Sequence, residues 1–433
     1  MTDTGRNARR IFLASILALF TAGLSFSLRA SVIRDIETEI LVAIDPVASA
    51  TLAGSILGVA FLGFASTLLV GSIFLEAIGM GRMLVFSGTC FAVGTGLVVA
   101  SETLRLLWLG FLLSGLGWGF AEASVNPLVA AVYPNDRTSR LNIVHAWWPA
   151  GIIAGGLLGL GLGALGLGWR MQFAAIVLPA VATIAICVGV RFPSTERAAA
   201  GVSIGEMIAE IPKRPMFLVW WGCMFLTAAS ELAPGQWIDL TLTRTVGMRG
   251  IWLLIYVSGM MFVLRHFAGP IAHRVSNSGM LWGSSVLALL GLLALANAHS
   301  PQTAIGAATI WGLGVCFMWP TMLANVSERY PRGGELFIGL MGFAGAMAIQ
   351  FVLPQLGAIF DRAKLEASGG EAAFAALQGD ALEVVLRGAA ATSFQTLAIL
   401  PAILIVVFGA IVLWDRSRSR RVDSVESFVK DAG

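Results

Sequence analysis

Long apolar stretches recur along this chain, and short polar or Gly/Pro-rich segments separate them. An α-helix needs about 20 apolar residues to cross the hydrocarbon core of a bilayer, and each stretch is about that long. The pattern therefore predicts an all-α integral membrane protein with twelve transmembrane helices, whose ends are placed to within about three residues. We place the twelve spans near residues 11–33, 47–74, 82–101, 105–132, 141–167, 170–191, 215–240, 250–274, 279–298, 302–327, 334–359 and 391–414.

A charged segment divides the spans into two sets of six. The predicted regions are an N-terminal six-helix half (1–191), a cytoplasmic linker (192–214), a C-terminal six-helix half (215–414) and a cytoplasmic tail (415–433). Within the linker, the residues near 204–211 have the pattern of a short amphipathic helix. A second polar insert, 361–388, precedes the last span, and its composition predicts a surface helix without a chemical role.

The two predicted halves contain related sequences. At an offset of 197 residues (312 − 115), positions of the fourth span match positions of the tenth: Gly115, Leu116, Gly117, Phe120, Val129, Tyr133 and Pro134 match Gly312, Leu313, Gly314, Phe317, Val326, Tyr330 and Pro331. Glycine and leucine matches arise easily in apolar segments, whereas a Tyr-Pro pair after each span does not. This internal repeat predicts two halves of similar fold, each built around such a span.

The composition agrees with a membrane protein, because 57% of the residues are hydrophobic, 12% are charged and the mean hydropathy is +0.83. The net charge of +3 is small and the basic residues are scattered at span ends, so no nucleic-acid partner is expected. Each of the four cysteines lies alone in an apolar run, and no metal cluster, phosphate-binding loop or Ser/His/Asp set is visible. The sequence predicts neither an enzyme nor a resident cofactor or metal.

The distribution of basic residues indicates the orientation in the membrane. Most of the 28 Lys and Arg residues fall in the N-terminal tail, the even-numbered loops and the C-terminal tail, which would all lie on one side of the bilayer. Since short loops rich in Lys and Arg stay in the cytoplasm, we expect both termini to be cytoplasmic. The chain is predicted to be a monomeric multi-pass protein of the cell (inner) membrane.

The fourth and fifth spans carry polar residues at positions that a bilayer disfavours. Glu122 and Asn126 lie four residues apart on one helix face, and Asn142 and His145 open the next span. An ionisable residue at bilayer depth costs about 2.5 to 3.5 kcal/mol, so it is expected to face a cavity or a partner. These residues predict a polar cavity between the helices.

Two inter-span loops carry a degenerate motif at matching places in the two halves. Residues 71–82 read GSIFLEAIGMGR, and residues 269–274 read GPIAHR. Both resemble the loop pattern Gly-x-x-x-Asp-Arg-x-Gly-Arg of the major facilitator superfamily, with a glutamate or histidine in place of the aspartate. Together with two sets of six spans, they identify the chain as a member of that superfamily. The resemblance implies a gating role for the loop residues Glu76, Arg82, His273 and Arg274.

A closer resemblance is to the fucose/glucose/galactose symporters of that superfamily. Residues 122–127 (EASVNP) are similar to their Glu-x-x-x-Asn-Pro, and residues 140–145 (RLNIVH) are similar to their Arg-Leu-Asn-x-x-Gln/His. Three further stretches also look like theirs: ELAPGQW at 231–237, WPT at 319–321 and PQLGAIFD at 354–361. One position departs from the family, because the chain has Arg29 where those symporters would have an acid in the first span.

The resemblance implies that spans 1, 4, 7 and 10 line a central cavity, and it places the candidates for proton or cation coupling there: Glu122, Glu231 and Arg29. The candidate substrate-binding residues combine amides and rings that suit the polar and flat surfaces of a sugar: Asn126, Asn142, His145, Trp148, Gln236, Trp237, Trp319 and Gln350. The 197-residue offset sets Trp319 opposite Glu122 at equivalent depth. The proline after Trp319 is expected to loosen the tenth helix.

Structural roles remain open for many of these residues. Arg29 and Glu122 would form a buried ion pair between spans 1 and 4, while the polar residues of spans 4 and 5 would form interhelical hydrogen bonds. Most tryptophans would only pack or lie at the headgroups. Glycines at four-residue intervals predict a close-packing face, expected where the two halves meet: Gly151, Gly155, Gly159 and Gly163. We expect Arg265 to extend toward the headgroups and not to form a gate pair with His266.

We therefore expect a secondary active symporter that works by alternating access in a lipid bilayer. It would move a sugar or similar small polar metabolite together with a cation, and we expect that cation to be a proton. The intramembrane acids, the amides and the symporter-like motifs favour this function. One alternative is a proton-coupled antiporter that exports amphiphilic compounds, which the aromatic and Met-rich cavity spans would suit. Another is a transporter fold that acts as a non-transporting sensor.

Overall fold

This computed structural model of the 433-residue chain describes residues 3–133, 137–193, 204–243, 246–265, 275–330 and 334–431. In these ranges the regular secondary structure is helical and includes no β-strand. Eleven of the described helices are long and apolar enough to cross a membrane, and Ile251–Leu264 is apolar but shorter. The rest of the predicted eighth span lies outside the described residues. The predicted all-α membrane fold is confirmed.

The N-terminal half contributes six spans, the last of which is divided in two: α1 (Asp3–Ile36), α2 (Ser49–Ile78), α3 (Met80–Val99), α4 (Leu104–Val132), α5 (Arg137–Ala164), α6a (Trp169–Ala174) and α6b (Val177–Cys187). α1 continues into one π-helical turn, Glu37–Leu41, and a last short segment, Val42–Ile44. Gly79 alone separates α2 from α3. Its φ of 86° is in the left-handed region, where a residue without Cβ is favoured.

The C-terminal half also contributes six spans, of which the fourth is divided: α7 (Pro215–Leu242), α8 (Ile251–Leu264), α9 (Asn277–Ala296), α10a (Pro301–Val315), α10b (Met318–Arg329), α11 (Gly334–Ser368) and α12 (Gly379–Asp431). A capping box of Ser300 and Thr303 begins α10a. Two short helices lie between spans. Ile204–Glu210 is the helix predicted in the linker, and Glu371–Ala375 connects α11 to α12.

The internal repeat is visible in the backbone and in the packing. Tyr133 ends α4 with φ −127° and ψ 61°, and Tyr330 ends α10b with φ −131° and ψ 58°. A Cβ on Gly115 of α4 would lie 1.9 Å from the carbonyl oxygen of Ala60 in α2. A Cβ on Gly312 of α10a would lie 3.2 Å from Val257 in α8, which follows Ala60 by the same 197 positions (257 − 60). The two halves therefore pack their fourth helices in equivalent ways.

The glycine face of α5 packs within the N-terminal half. A Cβ on Gly151 would lie 2.3 Å from the carbonyl oxygen of Phe20, and a Cβ on Gly155 would lie 2.7 Å from that of Leu24, both in α1. The expectation of a close-packing face is thus confirmed, but its placement where the two halves meet is wrong for Gly151, Gly155 and Gly159, which approach α1. A Cβ on Gly163 would lie 3.9 Å from Nη1 of Arg249 in the other half. Gly156, the residue after Gly155, approaches α8 of the other half, because each residue turns the helix by about 100°.

A polar contact joins the halves on the side away from the chain ends, which we call the far side; the side where α1 begins and α12 ends is the terminal side. Thr51 at the start of α2 donates from its backbone N and its Oγ1 to Oδ2 of Asp361 in α11, at 2.7 and 2.6 Å. Lys364 donates to Oδ1 of the same carboxylate at 2.6 Å. Asp361 and Lys364 are buried. The prediction of a surface helix over 361–388 is therefore wrong at its beginning, because α11 continues through these residues and packs on α2.

Close backbone packing reinforces this far-side contact. A Cβ on Gly54 of α2 would lie 2.3 Å from the carbonyl oxygen of Leu353 in α11. A Cβ on Gly357 of α11 would lie 2.3 Å from the carbonyl oxygen of Ala50 in α2. Even alanine would clash at both positions, so the far-side ends of α2 and α11 are in direct backbone contact.

The C-terminal half also holds the far-side part of α1. Gln236 of α7 donates from Nε2 to the carbonyl oxygen of Phe26 at 2.9 Å. Arg249, which precedes α8, donates from Nη2 to the carbonyl oxygen of Ser31 at 2.9 Å and lies 3.6 Å from Oδ2 of Asp239. The far side of the molecule is thus closed by contacts of α1 and α2 with α7, α8 and α11.

Candidate functional site

Two adjoining cavities lie between the halves. The larger one, of about 330 Å³, extends toward the terminal side and is lined by residues of α2, α4, α10b and α11: Leu68, Ser72, Leu75, Glu122, Ala123, Asn126, Pro127, Trp319, Leu323, Ser327, Tyr330, Ile338, Gly339 and Gly342. The smaller one, of about 80 Å³, is lined by residues of both halves: Phe64, Trp118, Glu122, His145, Trp148, Glu231, Leu232, Arg265 and Trp319. Glu122 and Trp319 line both cavities, which is the relation that the repeat offset predicted.

The Glu122 carboxylate projects from α4 into both cavities. In the part of the chain that the structure describes, no hydrogen bond or ion pair reaches it, and His145 lines the smaller cavity beside it. His145 itself is held by Asn126, with Nε2 and Oδ1 2.6 Å apart. This bond joins α4 to α5 and leaves the Glu122 carboxylate free to interact with a substrate or a proton. The side chain of Asn142 lies outside the described residues.

Glu231 of α7 is buried, and both of its carboxylate oxygens accept a hydrogen bond. Its Oε1 accepts a hydrogen bond from Nη2 of Arg265 at 3.1 Å, and its Oε2 accepts one from the backbone N–H of Trp319 at 3.0 Å. Arg265 also donates from Nε to the carbonyl oxygen of Cys316 at 2.9 Å. The expectation that Arg265 extends toward the headgroups is wrong, because its guanidinium group points into the bundle and pairs with Glu231.

The break in the tenth span explains these contacts. Proline has no N–H and disrupts the hydrogen bond to the residue four positions before it, so Pro320 leaves the carbonyl of Cys316 without its helical donor. Arg265 supplies that donor. The N–H of Trp319 binds Glu231 instead of continuing the helix, and α10 is interrupted between Val315 and Met318. The predicted loosening by the proline is confirmed as a break at this depth.

Aromatic rings form the wall between the smaller cavity and the far side, and we call this layer the aromatic partition: Phe26, Phe61, Phe64, Trp118 and Trp148. Trp118 stacks on Phe64 with centroids 4.2 Å apart and lies parallel to Trp148 at 6.2 Å. Trp118 was missed among the candidates, although it precedes Glu122 by four residues and so shares its helix face.

Trp319 lies on the opposite wall of the cavities. Its ring packs against α11, where a Cβ on Gly345 would lie 2.5 Å from Cζ3. The indole therefore has both a packing contact and a face on the cavities.

Three candidates from the C-terminal half lie outside the two cavities in this conformation. Gln236 is bonded to α1, and its Oε1 has no hydrogen-bond partner. Trp237 is fully buried and packs edge-on against Phe360 at 6.3 Å. Gln350 has an unpartnered, buried Oε1. Residues 236 and 237 follow Glu231 by five and six positions and project from other faces of α7, so the expectation that they face the cavity does not hold here.

Arg29 of α1 does not pair with Glu122. Its guanidinium carbon lies 5.7 Å from the centroid of the Phe61 ring, and in the described ranges no carboxylate forms an ion pair with it. The structural alternative of a buried Arg29–Glu122 ion pair is therefore wrong for this conformation. Arg29 lines neither cavity, and Phe61, over which it lies, belongs to the aromatic partition.

The gating-loop candidates are described only in the N-terminal half. Glu76 at the end of α2 and Arg82 in α3 are both exposed, and Arg82 donates from Nη1 to the carbonyl oxygen of Ile78 at 3.4 Å. His273 and Arg274 lie outside the described residues.

Two halves of six spans around a shared central cavity, with polar groups at bilayer depth, define a multi-pass membrane transporter and not an enzyme. Residues 11–352 match the model of the Major Facilitator Superfamily, and the chain belongs to that superfamily. It is 24% identical over 288 residues to the plastidic glucose transporter 4 of Arabidopsis thaliana, a match that covers 64% of this chain and 48% of that protein. The chain thus matches about half the length of this curated relative.

Solved transporter structures share the fold. The xylose transporter XylE from E. coli in a partially occluded inward open conformation superimposes with a TM-score of 0.72 at 12% identity, over 93% of this chain and 98% of that chain. A point mutant of the nucleoside transporter NupG superimposes with a TM-score of 0.71 at 11% identity, over 92% of this chain and 99% of that one. These similarities concern the fold.

Proposed function

We propose that this protein is a secondary active transporter that moves a sugar or similar small polar metabolite by alternating access, in symport with a proton. The observation that carries the proposal is the Glu122 carboxylate, which faces both cavities without a bonded partner among the described residues. A carboxylate in such a place can bind a proton on one side of the membrane and release it on the other, because its solvation and neighbours change as the halves move.

The conformation of the molecule supports a place in that cycle. The larger cavity extends to the terminal side, and the far side is closed by the contacts of α2 with α11 and of α1 with α7 and α8. The basic loops predict that both termini lie on the cytoplasmic side of the inner membrane. With that orientation, the conformation with a closed far side is an inward-facing state. In the proposed cycle Glu76, Arg82, His273 and Arg274 act at the loops that gate the terminal side.

The proposed substrate site has two kinds of surface. Hydroxyl groups of the substrate would bind to the Glu122 carboxylate and to Asn126 and His145, which are bonded to each other. The apolar face of a sugar would contact the rings of Trp148 and Trp319. Gln236, Trp237 and Gln350 would join the site when the far side opens, and Asn142 stays a proposed binding residue. The unpartnered oxygens of Gln236 and Gln350 support this, because a buried acceptor without a donor is costly in a static role.

The substrate class is supported by the relatives, which include a glucose transporter and, among structures of the same fold, a xylose transporter and a nucleoside transporter.

The two acids have different proposed roles. Glu122 carries the proton, whereas Glu231, bonded to Arg265 and to Trp319, would couple the state of the ion pair to the shape of α10.

A second candidate function is a proton-coupled antiporter that exports amphiphilic compounds. It is favoured by the aromatic lining of the smaller cavity, which consists of Phe64, Trp118, Trp148 and Trp319. Beside these rings lies the Glu122 carboxylate, which has no bonded partner among the described residues. A large apolar surface beside one acid suits an amphiphilic cation as well as a sugar.

Uptake into proteoliposomes tests both functions. We expect a labelled sugar from a panel of hexoses, pentoses and sugar acids to accumulate when the outside is acidic, and to equilibrate without accumulating when the gradient is collapsed. Accumulation that does not depend on the gradient would contradict proton symport. Extrusion of amphiphilic cations under the same gradient, without sugar uptake, would favour the antiporter.

A further inference from the structure

Arg29 is a buried charge without an acidic partner in the part of the chain that the structure describes. The side chain is 1% exposed, its Nε has no hydrogen-bond acceptor, and across the described ranges no carboxylate is paired with the guanidinium group. The guanidinium group instead lies over the ring of Phe61. A guanidinium group stays protonated in proteins, and an isolated buried ion is strongly unfavourable. The position is therefore suited to an anion that the described chain does not supply.

The surroundings of Arg29 change when the halves move. On one side of it along α1, the carbonyl of Phe26 accepts from Gln236, and on the other side the carbonyl of Ser31 accepts from Arg249. Both donors belong to the C-terminal half. When the halves separate on the far side, these two contacts must break, and the segment of α1 that carries Arg29 is uncovered toward the far side.

One pair of opposite charges beside the cavities is already formed. Glu231 is paired with Arg265, whereas His145 is bonded to the neutral amide of Asn126 and lines the smaller cavity together with Glu122. Among the described residues, Arg29 and Glu122 are thus left as opposite charges without an ion-pair partner. A membrane transporter that changes conformation with either charge unpaired would incur the full cost of a buried ion.

We propose that Arg29 binds a carboxylate group of the transported substrate, so that the substrate is the monoanion of a sugar-like acid and not a neutral sugar. This inference rests on the proposed function, in which Glu122 carries the proton. With the carboxylate on Arg29 and the proton on Glu122, both charges are compensated. With neither bound, the two residues can compensate each other once the partition rearranges. With only one bound, a charge stays unpaired.

The scheme makes a specific statement about stoichiometry. Partly loaded carriers are disfavoured, so one proton and one monoanion cross together and no net charge moves. A neutral sugar leaves Arg29 uncompensated in the loaded carrier, and its symport with a proton would carry net charge.

The first experiment compares gluconate and glucuronate with glucose, which lacks the carboxylate, in proteoliposomes of the full chain with an acidic outside. We expect one of the sugar acids to accumulate, without a transport current on a solid-supported membrane, and glucose not to accumulate. Proton-driven accumulation of glucose without the acids would overturn this inference and leave the proposed function intact. Glucose accumulation that requires external chloride would also overturn it, because a free anion would then occupy Arg29. Failure of these acids, of glucose and of the rest of the sugar panel would contradict the proposed function as well.

The second experiment uses Arg29→Met and Arg29→Lys. We expect the apparent affinity for the transported acid to fall at least about 30-fold in Arg29→Met, as when one member of a buried charge pair is removed, and to recover partly in Arg29→Lys. The thermal unfolding temperature of Arg29→Met should stay equal or rise, because an unpaired charge has been removed. Arg265→Met is the matched control, and it should unfold at a lower temperature. An equal loss of stability in Arg29→Met, or an unchanged affinity, would overturn the proposal.

Discussion

The backbone N–H of Trp319 donates a hydrogen bond of 3.0 Å to the carboxylate of Glu231. This bond connects an acid of α7 to the point where Pro320 interrupts the tenth span. Arg265 completes the arrangement, because it pairs with Glu231 and donates to the carbonyl that the proline leaves unbonded. One ion pair thus stabilises a break in the helix that carries the proposed aromatic wall of the substrate site.

Breaking this ion pair should destabilise the protein. Glu231→Gln keeps an acceptor for Trp319 but leaves Arg265 without its counterion, and Arg265→Met leaves Glu231 without its own. Each change should cost about 3 to 5 kcal/mol, as for other buried pairs that lose one member. We expect lower unfolding temperatures in detergent for both variants and a partial recovery in the double variant. Lys213→Gln removes an exposed lysine from a pair with the buried Glu210, which keeps Arg214 as a second partner, and should cost about 1 kcal/mol or less. Additive losses in the double variant would contradict the pairing.

Trp319 should determine substrate affinity. Truncation to alanine removes a flat apolar wall of both cavities, and we expect about 10- to 200-fold weaker apparent affinity, by analogy with hydrophobic-pocket discrimination. Trp319→Phe should recover much of it, because a ring is retained. Gly345→Ala should weaken binding as well, since its Cβ would displace the indole. Trp252→Phe, at an exposed position of α8, is the control.

The measurement is substrate quenching of tryptophan fluorescence together with uptake kinetics. Undiminished quenching in Trp319→Phe, combined with unchanged affinity in Trp319→Ala, would mean that the indole only packs on α11.

The far-side contact of α2 and α11 should set the balance between conformations. A Cβ on Gly54 would lie 2.3 Å from the carbonyl oxygen of Leu353, so Gly54→Ala cannot keep this backbone approach. We expect the variant to populate a state with a more open far side. Spin labels at the far-side ends of α2 and α11 should then be farther apart when their distance is measured by pulsed electron paramagnetic resonance. Gly96→Ala in α3, where no atom lies within 4 Å of the added Cβ, should leave the distance unchanged. An unchanged distance in Gly54→Ala would contradict the gate.

Much of the fold followed from the sequence, for physical reasons. Long apolar runs have one stable arrangement in a bilayer, so the spans and their two sets of six were predictable. The repeat also predicted that Glu122 and Trp319 face each other, because equivalent positions of the fourth helices in two similar halves lie at equal depth. Two helix starts are local features of the sequence: Ser300 caps the beginning of α10a, and Pro215 is the first residue of α7.

Contacts between helices were harder to predict. The pairing of Arg265 with Glu231 depends on the break in α10, which brings a free carbonyl and a free N–H to the same place. The burial of Asp361 depends on α2 beginning beside it. Gln236 and Trp237 were assigned to the cavity from a linear motif, whereas the rotation of α7 about its axis decides which residues face it. These are tertiary relations that apolar periodicity does not encode.

Glu122 provides the most direct test of the account. In Glu122→Gln the amide resembles the protonated acid in shape and charge but cannot release a proton. We expect this variant to lose gradient-driven accumulation of the substrate that the wild-type protein accumulates, while it retains counterflow exchange and the wild-type unfolding temperature, because no ion-pair partner is lost. Accumulation at the wild-type level in Glu122→Gln proteoliposomes under the same pH gradient would contradict the claim that Glu122 carries the proton.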